Sequence, residues 1–516
     1  MRASLSLHLS LYRKQKAMIS SAVEGASSSF RAYEARYRRR TATFHRALSP
    51  MEVERHVTAA DVVYVGDYHT LRLSQQSYLR VVEMARATGR RVVLAIELVE
   101  GRHQSALDAY LAGRLSERTF LARIGHAPAG GFDLWPGFRP VLEAARAYQL
   151  SVVAIDRRAK GGRSLQIRDA YAAGRIARAA RSPDRPLVLV LMGQFHVAPC
   201  HLPREVEKAL GENERRHLVV YQNCEGIYWK LARRGLAQRV EAVLVREGEL
   251  CLLNASPLVC QQSFLDYLEA EGGDEQLEHG TAARFRELAR LIGRFAGVDV
   301  RPNIESVEVA TVADDDFLER VRHRGQFDRR ELTQLRRHVL SRESYYIPRA
   351  RLAYLATLSL NHAAEEAAHF VRHCAVGEAL EAPRRASDAF YARCLEEAFG
   401  FFGSKLVNAR RRCRSITEWA EAFERRRGED RQIAAFVLAH KAAEGEGPSE
   451  AAKLLPLRED RLFHAVSHAL GYLLGEAMYG ALESERISRA DVRALFRDPL
   501  VDPPGRYFSL VRRLRA

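Results

Sequence analysis

Val62-Val63-Tyr64-Val65-Gly66-Asp67-Tyr68-His69 is an apolar, mostly β-branched run that ends in a Gly-x-x-His. Four such residues in a row suit a strand buried on both faces. The same pattern returns at Leu187-Val188-Leu189-Val190-Leu191-Met192-Gly193-Gln194-Phe195-His196. Between the two lie Val92-Val93-Leu94-Ala95-Ile96, closed by Glu97, and Val152-Val153-Ala154-Ile155, closed by Asp156. Helical periods separate these strands, for example from Leu73 to Ala85 and from Leu165 to Ala180. Strands also read at 217–221 and, as a closing hairpin, at 243–245 and 250–253. This alternation predicts an α/β fold, a largely parallel or mixed sheet with helices on both faces. Ligands of such sheets sit outside the carboxyl ends of the strands, where Gly66, Asp67, His69, Glu97, Gly193 and His196 all fall, with Asp156 and Asp169 in support.

Glycine lets backbone approach a ligand closely, and histidine supplies a neutral nitrogen ligand or a proton-exchanging group near pH 7. Two histidines and Glu97 form a nitrogen and oxygen set suited to iron, zinc, manganese or cobalt with an open position. Such a set could activate water or form the mouth of a pocket for a metal-bearing ligand.

Upstream, residues from about 10 to 56 read as helix, with Phe30, Tyr33, Tyr37 and Phe44 at helical spacing. Ser49-Pro50-Met51-Glu52 has the pattern of a capped helix start. The second half changes character beyond a linker expected at Glu269 to Asp274. Apart from a strand signal at Val307 to Ala310, helical periods dominate, among them Arg329 to Ser341, Ile347 to Cys374, Pro383 to Phe402 and Arg461 to Tyr479. An all-helical C-terminal domain is predicted, and the division expected is 1–49 as a helical extension, 50–270 as the α/β domain and 280–516 as the helical domain. Within the latter, His362, Glu366, His369 and His373 share one helix face. Glu366-x-x-His369 is half of the pattern used in carboxylate-bridged di-iron bundles, and His464 and His468 could face it from another helix. Gly471 and Gly475 are expected to permit close helix packing.

The 516 residues exceed one ordinary core, and 47% hydrophobic with 28% charged residues is a globular composition. A formal charge of +16 could serve an anionic partner, but no nucleic-acid motif accompanies the scattered arginines. Seven widely spaced cysteines without Cys-x-x-Cys spacing indicate neither a zinc ribbon nor a disulfide scaffold. No run of about 18 apolar residues occurs, so no transmembrane segment is expected and a cytoplasmic location is the default.

The paired Gly-x-x-His motifs with Glu97 between them resemble the superfamily of ChaN-type haem-binding uptake proteins, Tiki proteases, TraB-like proteins and erythromycin esterase. The run 61–69, Gln76, Trp135-Pro136-Gly137-Phe138-Arg139-Pro140 and Arg168-Asp169 are similar to the ChaN branch, over about residues 50 to 260. The resemblance implies binding of haem or of iron or another metal at the strand ends. Its alternative is a metal-dependent hydrolase in the manner of Tiki proteases or erythromycin esterase, in which Glu97 or a histidine acts as base; whether the chain is an enzyme stays open. A third reading is a basic scaffold without chemistry, and a homo-oligomer is compatible with all three. Two departures stand out. Asp67 replaces the Glu more common in ChaN sequences, and no lipoprotein cysteine lies near the N-terminus, so an intracellular form is expected.

Overall fold

The strands read from the sequence assemble into one sheet whose central members are sealed from water. The structure, a computed structural model, describes residues 3–22, 28–126, 133–159, 161, 163–212, 214–272, 274–311, 317–324, 327–329, 332–333, 344–355, 359–377, 384–456 and 460–515. The chain forms two compact units, Leu9–Asp274 and Glu275–Ala516, the second also counting Arg2–His8.

The sheet of the first unit contains β1 (Arg46–Ala47), β2 (Val62–Asp67), β3 (Val92–Glu100), β4 (Ser151–Asp156), β5 (Leu187–Gly193), β6 (His217–Gln222), β7 (Ala242–Arg246) and β8 (Glu249–Leu252). Their order is β1-β7-β8-β6-β2-β5-β3-β4. All pairs from β8 through β4 are parallel, and the β7–β8 hairpin and β1 add antiparallel strands at one edge. Every residue of β2 is buried, as its unbroken apolar run requires. One face of the sheet offers Val63, Val65, Leu94, Ile96, Leu189 and Leu191 to Tyr78, Val81, Val82, Phe138, Val141 and Leu142 of two helices. Each fully buried Val or Leu contributes roughly 1.5–3 kcal/mol. Direct pairing of β2 with β5, in the register Gly66↔Met192 and Asp67↔Gly193, sets the two histidine motifs side by side.

The stretch expected as one helix from 10 to 56 is broken. Helices Ala3–Ala22 and Ser28–Arg40 are followed by β1, whose flanking amides bond to β7 (His45 N to Leu244 O, 2.8 Å; Leu48 N to Ala242 O, 2.9 Å). A sheet edge thus satisfies backbone groups that a helix would have paired internally. Helix Pro50–Ala59 then starts where expected, with a reciprocal capping box between Ser49 and Glu52.

The described residues of the expected linker belong to the end of helix Pro257–Gly272 and the start of helix Asp274–Ala296, beyond which the second unit follows. The unit is mostly helical but not all-helical. Three short strands, β9 (Glu308–Thr311), β10 (Tyr345–Ile347) and β11 (Leu352–Leu355), pair in the order β10-β11-β9. The single helix expected from Ile347 to Cys374 fails at its beginning. Tyr345-Tyr346-Ile347 has strand-favouring side chains, and the chain reverses after Pro348, with Arg351 at φ 48° and its amide bonded to Pro348 O at 2.9 Å. Helix Leu360–Val376 follows, capped by Ser359. Most of the helix expected at 329–341 lies outside the described residues. Helices Ala386–Val407 and Asp460–Glu483 approach closely at Gly471 and Gly475, where added Cβ atoms would stand 2.6 Å from the carbonyl oxygens of Cys394 and Ala398.

Candidate functional site

Both Gly-x-x-His loops leave the carboxyl ends of adjacent strands, so their side chains meet above one rim. The point of convergence is Gly193. A Cβ placed there would lie 3.4 Å from each of three groups: Glu97 Oε2, His69 Nε2 and His196 Cδ2. The Gly193 amide donates to Glu97 Oε2 at 2.5 Å, and His69 Nε2 stands 3.5 Å from the same oxygen.

Each histidine is held by an aspartate. His69 Nδ1 lies 2.8 Å from Asp67 Oδ2, and His196 Nδ1 lies 2.5 Å from Asp169 Oδ1. An ionised carboxylate only accepts, so both Nδ1 atoms carry hydrogen. Asp67 is itself oriented by Gln75, whose amide donates to Oδ1 at 2.6 Å. Gln76, singled out from the family resemblance, is exposed; its neighbour Gln75 faces the site. The short side chain of Asp67 reaches His69 without difficulty, because the two residues share one turn. His69 keeps 43% of its side chain exposed, whereas His196 keeps 7%.

Arg168 completes the cluster. Its guanidinium bonds to Glu97 Oε1 and, through Nε at 2.9 Å, to Asp156 Oδ1. Asp156 therefore takes part indirectly, through Arg168. Burial opposes the charge on both partners of the central pair, but the surroundings override it. Nearby Glu97 and Asp67 lift His69 to about 9. His69, His196, Arg168 and the Gly193 amide hold Glu97 below the usual carboxylate range. In the ligand-free protein at pH 7 His69 is thus a cation facing a carboxylate.

The motif glycines differ. A Cβ at Gly66 would fall 1.9 Å from Gln194 Oε1. Gln194 is buried, donating to Tyr37 OH at 2.8 Å and to Gln222 O at 2.6 Å. Gly66 therefore makes room for internal packing, and Gly193 for the site.

Tyr33 was not among the expected site residues. It comes from helix Ser28–Arg40, is almost fully buried, and its hydroxyl donates to Asp169 Oδ2 at 2.7 Å. Its place in an aromatic stripe at helical spacing signalled burial, with nothing to show a site as its destination. Gln75 was equally silent, being an amide without a motif, and Gln194 filled an unspecified position of the second Gly-x-x-His.

Part of the helical set singled out in the second unit gathers around Glu397, which interacts electrostatically with Glu366, His369 and His468. His369 pairs with Glu366 at 3.1 Å, and its Nε2 lies 3.1 Å from the backbone oxygen of Glu396. His468 pairs at 2.8 Å with Glu397, on helix Ala386–Val407. His362, His373 and His464 make other contacts. Among the described residues no group of three or more His, Cys, Asp or Glu side chains is arranged to hold a metal ion, and no helix is long and apolar enough to cross a membrane.

Residues 53–165 match the family described as haem-binding uptake, Tiki superfamily, ChaN. The matched stretch contains His69, Glu97 and Asp156 and stops short of Asp169, Gly193 and His196. No curated protein matches the chain. Among solved structures, that of ChaN from Campylobacter jejuni with cofacial haem bound is matched at 12% identity, over 34% of this chain and 87% of that one, with a TM-score of 0.26. By sequence, residues 53–165 of the chain are similar to the ChaN haem-binding uptake group of the Tiki superfamily.

Proposed function

We propose that the α/β unit binds haem at the strand-end rim, with His69 as the residue that reaches the iron. The observation that carries this is the state of His69: partly exposed, tethered through Nδ1 to the buried Asp67, and free to turn Nε2 from Glu97 to a ligand. A histidine whose second nitrogen is fixed by a carboxylate is the usual form of an iron or zinc ligand. Bound haem would supply iron-centred ligand-binding or electron chemistry, and the protein's part is to orient the imidazole and accept its proton. Glu97 is suited to the latter.

Arg168 favours haem over a bare divalent cation. Both oxygens of Glu97 already have donors, one of them a guanidinium, and a dication coordinated there would face that positive charge. The iron of haem, approached from the side of His69 and away from Arg168, avoids the conflict. A second reading, hydrolysis by a metal-activated or Glu97-activated water, draws on the 3.5 Å approach of His69 Nε2 to Glu97 Oε2, an acid–base pair in place. All seven cysteines are free, which fits a reducing compartment and so a cytoplasmic protein.

Titration of the full chain with hemin tests the proposal. A Soret shift that saturates at one haem per site and is lost in His69→Ala supports it. No shift, or equal affinity in His69→Ala, overturns it, and hydrolytic activity that appears only with added divalent metal would favour the second reading.

A further inference from the structure

The second histidine is set by a residue from outside the matched family stretch. We infer that Tyr33, on helix Ser28–Arg40, is a positioning residue that holds the Asp169 carboxylate against His196, securing the orientation and tautomer of that histidine and so directing His196 Nε2 into the site; in its ligand-binding consequence this rests on the proposed haem function.

The geometry is a closed triangle. Tyr33 OH donates to Asp169 Oδ2 at 2.7 Å, His196 Nδ1 lies 2.5 Å from Asp169 Oδ1, and Tyr33 OH stands 3.0 Å from His196 Nδ1. The phenol has one proton, which goes to the carboxylate. Its oxygen is then available only as an acceptor, so the imidazole edge facing the triangle must carry hydrogen on Nδ1. In the neutral imidazole Nε2 is then the lone-pair nitrogen, while Cδ2 lies on the Gly193 side of the ring, 3.4 Å from where a Cβ would stand. The phenol ring is itself fixed. It stacks on His201 with centroids 3.5 Å apart and planes 8° apart, and His201 Nδ1 is 2.8 Å from Phe195 O. Burial and the neighbouring Asp169 carboxylate keep the phenol well above its usual pKa, so it stays a donor.

Among the described residues, His69 has no comparable partner from this helix; Asp67 and Gln75 hold it from within the α/β fold. The N-terminal helix therefore acts on one histidine of the pair. A ring fixed in one tautomer by such a neighbour typically gains about ten- to a hundredfold in affinity for its ligand.

The test uses the full chain with ¹⁵N-labelled histidine. Tyr33→Phe keeps the ring stacked on His201 and removes only the hydroxyl. Tyr37→Phe, on the same helix, removes a hydroxyl bonded to Gln194 and close to Cys224 but not to His196, and so reports a merely structural loss. Wild type and Tyr37→Phe should show His196 with Nδ1 protonated and Nε2 free. Tyr33→Phe should show mixed tautomers and a changed His196 titration, with hemin affinity about tenfold lower. Unchanged His196 nitrogen shifts in Tyr33→Phe, or the same change in Tyr37→Phe, would overturn the inference. If wild type fails to bind hemin while Tyr33→Phe still shifts the tautomer, the positioning role stands and the haem reading falls.

Discussion

One added methyl group separates the roles of the two motif glycines. In Gly66→Ala the new Cβ would sit 1.9 Å from Gln194 Oε1, so the amide of Gln194 must leave its place. It would give up its bonds to Tyr37 OH (2.8 Å) and Gln222 O (2.6 Å), and the one accepted from Gln222 N (3.2 Å). Those partners are buried, and at about 1 kcal/mol per lost bond, with more for each group left unsatisfied, the loss is about 2–4 kcal/mol. In Gly193→Ala the nearest atoms stand at 3.4 Å, ordinary van der Waals contact, so stability should change by less than about 1 kcal/mol. The same methyl, however, fills the point where His69, Glu97 and His196 converge, and hemin affinity should fall by at least about tenfold, equivalent to 1.4 kcal/mol. Urea unfolding of the first transition, followed by tryptophan fluorescence, gives the stabilities, and Soret titration gives the affinity. If Gly193→Ala destabilises as much as Gly66→Ala, or binds hemin as wild type does, the division of roles is wrong.

Raising the pH from 7 to 9 should strengthen hemin binding by about tenfold, since the coordinating imidazole must be neutral and His69 titrates at about 9, with its partial exposure screening the full effect; a flat profile would rule out His69 as the ligand. In the ligand-free chain the sign is opposite. His69 has a folded-state pKa above its unfolded 6.5, so its contribution to stability is complete below pH 6.5 and disappears as the pH rises through about 9, which urea midpoints at pH 6 and 9.5 will show against His69→Ala. Arg168→Ala leaves Oε1 of the buried Glu97 without its guanidinium and should cost about 3 kcal/mol in the same unfolding transition. Gly475→Ala drives a Cβ to 2.6 Å from the backbone oxygen of Ala398, which cannot swing aside, and should destabilise the helical unit by about 1–3 kcal/mol in thermal melts, leaving hemin binding unchanged.

The sheet was legible because its signal is one-dimensional. Apolar runs such as 187–192 have one good use, and the residues that end them must fall on one rim. Glu97, His69 and His196 followed from that rule. The pairing of β2 directly with β5, which makes the two motifs neighbours, did not follow, because strand order depends on long-range contacts that no local pattern encodes. Arg168 and Tyr33 were obscured for different reasons. Arg168 was marked only by the family resemblance, which gave it no role, and a tyrosine in an apolar stripe is indistinguishable from packing until its hydroxyl finds a partner. The strands around Pro348 were missed because a helical period continues through Ile347 to Cys374 on paper, whereas the turn at Arg351 is a matter of backbone conformation.

Arg168 and Asp169 are consecutive residues of helix Ser164–Ala180, yet they serve opposite sides of the rim: one grips Glu97 and Asp156, the other His196 and Tyr33. Side chains about 100° apart on a helix cannot be moved independently by turning it. A rotation that freed Glu97 from its guanidinium would at the same time pull the carboxylate from beneath His196. The helix is therefore a mechanical linkage: turning it to displace Arg168 displaces Asp169 as well, so the two sides of the rim are tied to a single rod.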